Sequence, residues 1–260
     1  MTKDVFLSDR IKHVAVIMDG NGRWAQSRYH SRVWGHIRGA SVVSGIVEEA
    51  DDLGLKALTL YAFSSENWSR PQKEVTTLFV LLKKFLQKER KRILKNKICF
   101  NVIGELSGLP DDTKKLIYDL QEETADASGL NLTFAFGYSA RNEILRSVNE
   151  HIKNNPGKDI SENELTNNLY NPKAGNVDLL IRTGGDQRVS NFLLWQIAYS
   201  EFFFTQTKWP DFSREEFRGI LYQVSGRERR FGNIHAPASY DKNLLEAQKN
   251  KESAVRSKVW

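Results

Sequence analysis

One arrangement recurs along this chain: a short apolar run, a polar cluster, then a stretch with helical spacing. The runs cover residues 14–18, 57–62, 98–103, 130–136 and 177–181, with a sixth near 201–205. Continuous runs of this length read as strands buried on both faces. Between them, residues 35–53 place Ala40, Val43, Ile46, Val47 and Ala50 at helical spacing, and Gly54 supplies a stop. Residues 72–94 carry the stripe Val75, Leu78, Phe79, Leu82, Phe85, Leu86 and Ile93. Residues 111–127 follow Pro110, and residues 139–153 open with Ser139 and Glu143, a loose capping signal. Strands alternating with helices predict an α/β fold, a central parallel sheet of about six strands flanked by helices. Residues 154–176, polar and rich in Asn, read as a loop with one short helix.

Composition sets the outer limits. At 260 residues, 40% hydrophobic and 27% charged, the chain suits one large soluble domain. We expect that domain to span residues 1–234 and a polar tail to span 235–260. No apolar run approaches the roughly 18 residues that cross a bilayer, and "MTKDVFLSDR" has no signal-peptide core, so a cytoplasmic protein is expected. The single cysteine, Cys99, excludes an internal disulfide and a thiolate zinc cluster, and "ICFNVIG" predicts a buried reduced thiol. A net charge of +6 suits anionic partners. Its densest part, residues 83–97, holds eight basic residues against Glu89. A solvated helix face is the plain reading of that run. Nucleic-acid binding is its rival, unsupported by any helix-turn-helix, RRM or zinc signature.

The clusters carry the chemistry. "DGNGRW" follows the first run, "SSENW" the second, "GYSAR" the fourth and "RTGGDQR" the fifth. Parallel α/β sheets bind ligands beyond the carboxyl ends of their strands, so these clusters are expected to share one edge and one site. Gly20 and Gly22 let backbone N–H groups approach an anion, and Arg23 can pair bidentately with phosphate oxygens. Asp19 would repel a bare phosphate, which points to a bridging hard cation such as magnesium (Mg2+). A tight turn, with Asp19 bonding its own backbone, is the alternative. There is no GxxxxGKS, GxxxxGKT or GxGxxG, so nucleotide use has little support. Arg28, Arg32, His36 and Arg38 follow closely. Ser64, Ser65, Glu66, Asn67, Trp68 and Arg70 precede the long helix, where capping explains the polar residues but not Trp68 or Arg70. Arg182, Arg188 and Ser190 around a Gly pair read as a second anion pocket, and two phosphate-bearing substrates would explain two pockets. The stripe over residues 72–94, widened by Val80 and Leu81, is either core or the wall of an apolar cavity opening onto that site.

Taken together, these residues resemble the cis-prenyltransferase family, most closely its bacterial undecaprenyl diphosphate synthases. The matching segments are "HVAVIMDGNGRWA", "GHIRGA", "LTLYAFSSENWSRP", "VDLLIRTGGDQRVSNFLLWQIAYSEFFFT", "WPDF" and "RERRFG". The resemblance implies a homodimer with an apolar tunnel. It implies a Mg2+-dependent enzyme that joins isopentenyl diphosphate units in cis geometry to an allylic starter, usually farnesyl diphosphate. The implied product is a long-chain polyprenyl diphosphate such as undecaprenyl diphosphate, precursor of the lipid carrier for cell-wall polysaccharide. Transient contact with a membrane surface for product release is implied, and no nucleic-acid partner.

By matching position, the resemblance makes Asp19 catalytic and metal-binding. It gives the allylic substrate to Gly20, Asn21, Gly22, Arg23, Trp24, Arg32 and His36. Ser64, Ser65, Glu66, Asn67, Trp68 and Arg70 would border the reacting ends, with Glu74 in the loop after them. Arg182, Arg188, Val189 and Ser190 would take isopentenyl diphosphate, Glu201 would be the second metal-linked carboxylate, and Arg230-Phe231-Gly232 would help complete a site in the dimer. Asn67 is sometimes made the proton acceptor. A neutral amide is too weak a base for that at pH 7, so we read Asn67 as an orienting catalytic group, with released diphosphate, His36 or water taking the proton. Asp186 stands where the family usually has Glu, "GYSARNEI" replaces "NYGGR-EI", "RYHSRVWGH" is unusually aromatic and basic, and Phe136 is large for its position. A non-catalytic prenyltransferase-like subunit is the near rival, and intact Asp19, Arg23, Asn67, Arg182 and Arg188 argue against it. Asp51-Asp52 and Asp111-Asp112 lack the third Asp of the trans-prenyl DDxxD motif.

Overall fold

The computed structural model describes residues 10–227. Six strands form one parallel sheet: β1 (His13–Ile17), β2 (Ala57–Ser64), β3 (Cys99–Ile103), β4 (Asn131–Tyr138), β5 (Leu179–Arg182) and β6 (Glu201–Phe204), in the order β3-β4-β2-β1-β5-β6. Every residue of β1, β4 and β5 is buried, as continuous apolar runs require. Alternation divides their side chains between two cores. Val14, Val16, Leu58, Leu60 and Phe134 face one, and Ala15, Ile17, Tyr61, Ala135 and Leu180 face the other.

Seven α-helices accompany them among the described residues, the last following β6: α1 (Asn21–Gln26), α2 (Arg32–Asp52), α3 (Gln72–Lys95), α4 (Asp111–Glu123), α5 (Ala140–Asn154), α6 (Glu162–Asn167) and α7 (Arg214–Ser225). α2 and α3 start at the carboxyl edge of the sheet, and their apolar stripes join the first core through Val43, Ile46, Val75, Phe79 and Phe85. Residues 154–176 hold α6 as expected and add a 3-10 turn at Pro172–Ala174. The capping signal before α5 holds in half: Ser139 Oγ accepts from the Asn142 N–H at 3.3 Å. Glu143 turns inward instead, taking the Tyr138 hydroxyl at 2.5 Å and the Gln196 amide at 3.0 Å.

Three expectations change. Cys99 is only partly buried, because β3 is the edge strand and its alternation turns Cys99 and Asn101 outward and Phe100 and Val102 inward. The segment "DGNGRW" is not all loop. Asp19-Gly20 makes the turn, and α1 begins at Asn21. α2 begins at Arg32, about one turn before Gly35, which puts Arg32 and His36 on one face. The basic run 83–97 behaves as a charged helix face: Lys83 pairs with Asp112 at 2.5 Å, Arg90 with Glu123, and Arg92 with Glu89 at 2.9 Å. Residues 235–260, read as a polar tail, lie outside the described residues.

Candidate active site

The clusters that follow β1, β2, β4 and β5 do meet at the carboxyl edge, around a cavity of about 1110 Å³. Asp19 is fixed there through its backbone. Its N–H reaches Thr183 Oγ1 at 3.0 Å, and its carbonyl accepts from Thr183 Oγ1 at 2.8 Å and from the Trp209 N–H at 3.0 Å. The next residue, Gly20, turns the chain with φ 100°, a conformation that disfavours any side chain. Close packing then sets α2 against α1, since a Cβ on Gly35 would lie 1.9 Å from the Asn21 carbonyl oxygen.

One side of the cavity is an arginine–carboxylate knot. Arg182 Nη2 lies 2.8 Å from Asp19 and 3.4 Å from Asp186. Arg23 Nη2 lies 3.1 Å from Asp19 and 3.3 Å from Asp186, and Arg188 Nη2 lies 2.8 Å from Asp186. Arg182 Nη1 donates to the Ser190 hydroxyl at 2.8 Å and to the Arg188 carbonyl. Burial opposes ionisation of Asp19. The hydrogen bonds from Arg182 and the Gly20 N–H, with the Arg23 charge, outweigh it and hold the carboxyl below its usual range.

Glu74, on the first turn of α3, organises the other side. It is buried, and it takes Arg70 Nη1 at 2.9 Å, His36 Nε2 at 3.1 Å and Arg32 Nε at 3.3 Å. Burial again opposes ionisation, and Arg70, His36 and Arg32 together keep the carboxyl low. Burial lowers the His36 pKa in spite of Glu74, so the ring is neutral at pH 7. Its Nε2 faces a carboxylate and therefore carries the proton.

Between the two sides lies a turn of 3-10 helix, Ser65–Ser69. Asn67 lines the cavity, and its Oδ1 accepts from the Ser64 N–H at 3.3 Å, which fixes the amide plane. β2 is irregular just before this turn: Tyr61 pairs with Ala135 and Phe63 with Phe136, leaving Ala62 over. A bulge of this kind re-aims side chains, and Tyr61, Ala62, Phe63 and Ser64 all line the cavity. Below the polar mouth the walls are apolar, from Ala40, Val43, Leu82, Phe85, Phe134 and Phe136.

The candidate residues divide accordingly. Asp19, Asn21, Gly22, Arg23, Arg32, His36, Ser64, Glu66, Asn67, Arg70, Arg182, Arg188, Val189 and Ser190 are on the cavity wall. Trp24 is not; it is buried beneath Arg28, whose guanidinium carbon stacks 4.2 Å from the ring. Trp68 packs behind the wall against Phe63 and Phe79. Glu201 is at the opposite end of the sheet from Asp19: it opens β6 level with Leu179, three residues before the edge that Arg182 shares with Ile17 and Phe204. Arg230 and Gly232 lie outside the described residues. Sequence reading passed over Thr183 and Trp209 and treated Asp186 only as a departure. "RTGGDQR" held the signal, a hydroxyl and a carboxylate on either side of a glycine pair.

For a hard cation the donor set is small. Among the described residues no three His, Cys, Asp or Glu side chains converge. Asp19 and Asp186, both bonded to the same two guanidinium nitrogens, fit an ion that takes one or two carboxylates and its other ligands from substrate phosphates.

Comparison with known proteins gives the family. Residues 17–232 match the prenyltransferase family model described as "putative undecaprenyl diphosphate synthase". An isoprenyl transferase of Fusobacterium nucleatum is 47% identical over 86% of this chain and 96% of its own, and one from Clostridium perfringens is 44% identical over 88% and 93%. The crystal structure of lavandulyl diphosphate synthase from Lavandula x intermedia, in complex with dimethylallyl diphosphate, aligns with a TM-score of 0.81 at 31% identity, over 86% of this chain and 99% of that one. That of "a probable undecaprenyl diphosphate synthase" from Campylobacter jejuni aligns with a TM-score of 0.72 at 35% identity, over 85% and 98%. The chain belongs to the cis-prenyltransferase family of isoprenyl transferases.

Proposed function

We propose that this protein condenses isopentenyl diphosphate units onto farnesyl diphosphate and releases a long-chain polyprenyl diphosphate, of undecaprenyl type, for use as a lipid-carrier precursor in cell-wall synthesis. The observation that carries the reading is the pairing of two cation-lined pockets across one turn, above an apolar cavity. The chemistry separates charge: as the allylic carbon–oxygen bond breaks, carbon becomes positive and the departing diphosphate gains negative charge. In this reading Arg23 and Arg32 stabilise that leaving group, with the backbone at Asn21 and Gly22. Arg182, Arg188 and Ser190 hold the incoming unit so that its double bond faces the allylic carbon across Asn67. The Asn67 amide orients. A proton then leaves the new chain for released diphosphate, water or His36, whose ring is neutral but whose Nε2 is engaged by Glu74.

In this proposal Asp19, with Asp186 beside it, would hold Mg2+ together with substrate phosphates, and the ion would supply added charge neutralisation. A homodimer is part of the reading. It is supported by β6, an edge strand with Phe202 41% exposed, and it would bring Arg230 and Gly232 to a neighbouring site. Transient contact with an anionic membrane surface is supported by exposed Tyr29, Trp34 and Ile37 beside Arg38, at the α1–α2 junction. No helix of the described residues is long and apolar enough to cross a membrane. The deciding experiment incubates the protein with farnesyl diphosphate, isopentenyl diphosphate and Mg2+ and separates products by chain length. Chains extended by several units are expected, and absence of any extension overturns the proposal.

A further inference from the structure

Six arginines line the cavity: Arg23, Arg32, Arg70, Arg141, Arg182 and Arg188. Five are held by carboxylates, three of them on Asp186 and two on Glu74. Arg141 differs. It is exposed, it lies in the first turn of α5, and no side chain or carbonyl among the described residues bonds its guanidinium. A cation in the first turn of a helix opposes the helix dipole. The position therefore does nothing for α5 itself and leaves an uncompensated positive charge at the cavity wall.

The backbone under Arg141 is held by one residue. Asn191 Oδ1 accepts from the Arg141 N–H at 3.1 Å, and the Asn191 carbonyl accepts from the Ala140 N–H at 3.0 Å. These amides are thus already satisfied, so the start of α5 offers an arriving anion the Arg141 side chain and not the backbone. Asn191 Nδ2 also donates to Ser139 Oγ at 2.9 Å and to Glu66 Oε1 at 3.2 Å. Asn191 sits at φ 59° and Ser190 at φ 47°, a left-handed pair that non-glycine residues rarely adopt and Asn tolerates best. One amide thereby joins the start of α5 to the turn that carries Asn67, and it belongs to the residue next to Ser190, whose hydroxyl Arg182 holds.

We propose that Arg141 is a third arginine for the diphosphate of the incoming isopentenyl unit, and that Asn191 is the positioning residue that sets it beside Ser190. This rests on the function proposed above. Because Arg141 carries no internal carboxylate, it meets the substrate without first giving up an ion pair, whereas Arg188 must exchange Asp186 for the diphosphate.

The test measures steady-state kinetics with each substrate varied in turn, and titration calorimetry of isopentenyl diphosphate, for the parent protein, Arg141→Met, Arg141→Lys and Asn191→Gly. Arg141→Met should weaken isopentenyl diphosphate binding and raise its KM about tenfold, as loss of one charge-assisted contact does. The allylic KM should stay within about twofold, and Arg141→Lys should recover part of the loss. Asn191→Gly keeps the backbone conformation and removes the amide, so it should raise the same KM, and by less in an Arg141→Met background than alone. Unchanged isopentenyl diphosphate affinity in Arg141→Met overturns the proposal, and so does a rise confined to the allylic KM. A parent protein that elongates nothing refutes the function reading itself, whereas a parent that elongates beside a normal Arg141→Met refutes only this assignment.

Discussion

Asp19 and Asp186 share the same two guanidinium nitrogens, Nη2 of Arg23 and Nη2 of Arg182, at 2.8–3.4 Å. The carboxylates therefore occupy positions that phosphate oxygens would take, and an arriving diphosphate must displace at least one of them. Asp19 is pinned through its backbone by Thr183 and Trp209, whereas Asp186 follows two glycines at φ 85° and 88°. Asp186 is the one free to yield.

It follows that Asp19→Ala should cut turnover about 10³-fold while leaving the protein folded, since Asp186 remains to pair Arg182. Turnover of the parent should also disappear in excess EDTA and return with added Mg2+. Rates measured with and without chelator decide it, and near-normal turnover by Asp19→Ala in EDTA would sink the proposed role of the metal.

Arg182 and Arg188 should separate under mutation. Arg188 is 64% exposed at its side chain and Arg182 only 5%. Arg188→Ala should raise KM for isopentenyl diphosphate about tenfold with an unchanged melting temperature. Arg182→Ala should raise the same KM and also lower stability by about 3 kcal/mol, because it strips the partly buried Asp19 of its closest charged partner. If KM for the farnesyl substrate rises instead, the two pockets have been assigned the wrong way round.

Much of this was legible in the residues. Each strand, and the helices expected over residues 35–53, 72–94, 111–127 and 139–153, lie within a few residues of their expected places. The common edge of the four clusters follows from parallel topology alone. What sequence could not give was pairing at a distance. Nothing local in "ENWSRPQKE" says that Glu74 will be buried and hold Arg32 and His36 from another helix. Nor does anything local say that Glu49, fully buried in α2, will be bound by Arg214 and Arg218 of α7 at 3.0 and 2.6 Å. α7 is not among the expected helices, although Ser213 before it and Phe217, Ile220, Leu221 and Val224 at helical spacing carry the signal. Trp24 shows the opposite failure: its place in a binding motif hid that it packs under Arg28.

At the far end of β1 lies a pH dependence unrelated to catalysis. His13 is buried, with Nδ1 on the Gly175 carbonyl at 3.1 Å and Nε2 on Thr59 Oγ1 at 2.8 Å. Burial pushes its pKa down to about 4, against the hydrogen bond to Gly175. The unfolded chain takes up this proton near pH 6.5 and the native state does not, so stability should fall as pH drops from 6.5 towards 4, by on the order of 3 kcal/mol. Chemical denaturation at pH 7 and pH 5 should show a smaller difference for His13→Gln than for the parent. Equal differences would place the acid sensitivity elsewhere.

Product length should follow the depth of the apolar cavity. Ala62 ends the second apolar run just before "SSENW" and Leu130 opens the fourth, so sequence alone makes Ala62 the shallow position and Leu130 the deep one. Ala62 does line the cavity, as does Asn67. Leu130 does not. The cavity reaches Phe85 and Phe134, whose rings meet at 5.0 Å, and Leu130 lies four residues before Phe134, just ahead of β4, roughly 13 Å below at ~3.3 Å per residue. Phe85 itself is 13 residues into α3, roughly 20 Å from its start at ~1.5 Å per residue. The floor is therefore aromatic. Ala62→Leu should stop chains early by filling the neck, and Phe85→Ala should lengthen them by opening the floor, at a stability cost of about 3 kcal/mol. Leu130→Ala should cost similar stability and leave product length unchanged. Phe136, stacked on Phe63 at 5.0 Å, narrows the same wall, so Phe136→Ala should shift the distribution upward as well. Chromatography of radiolabelled products from these variants and the parent reads the outcome directly. Longer chains from Leu130→Ala, with none from Phe85→Ala, would show that the growing chain takes a different path from the cavity described.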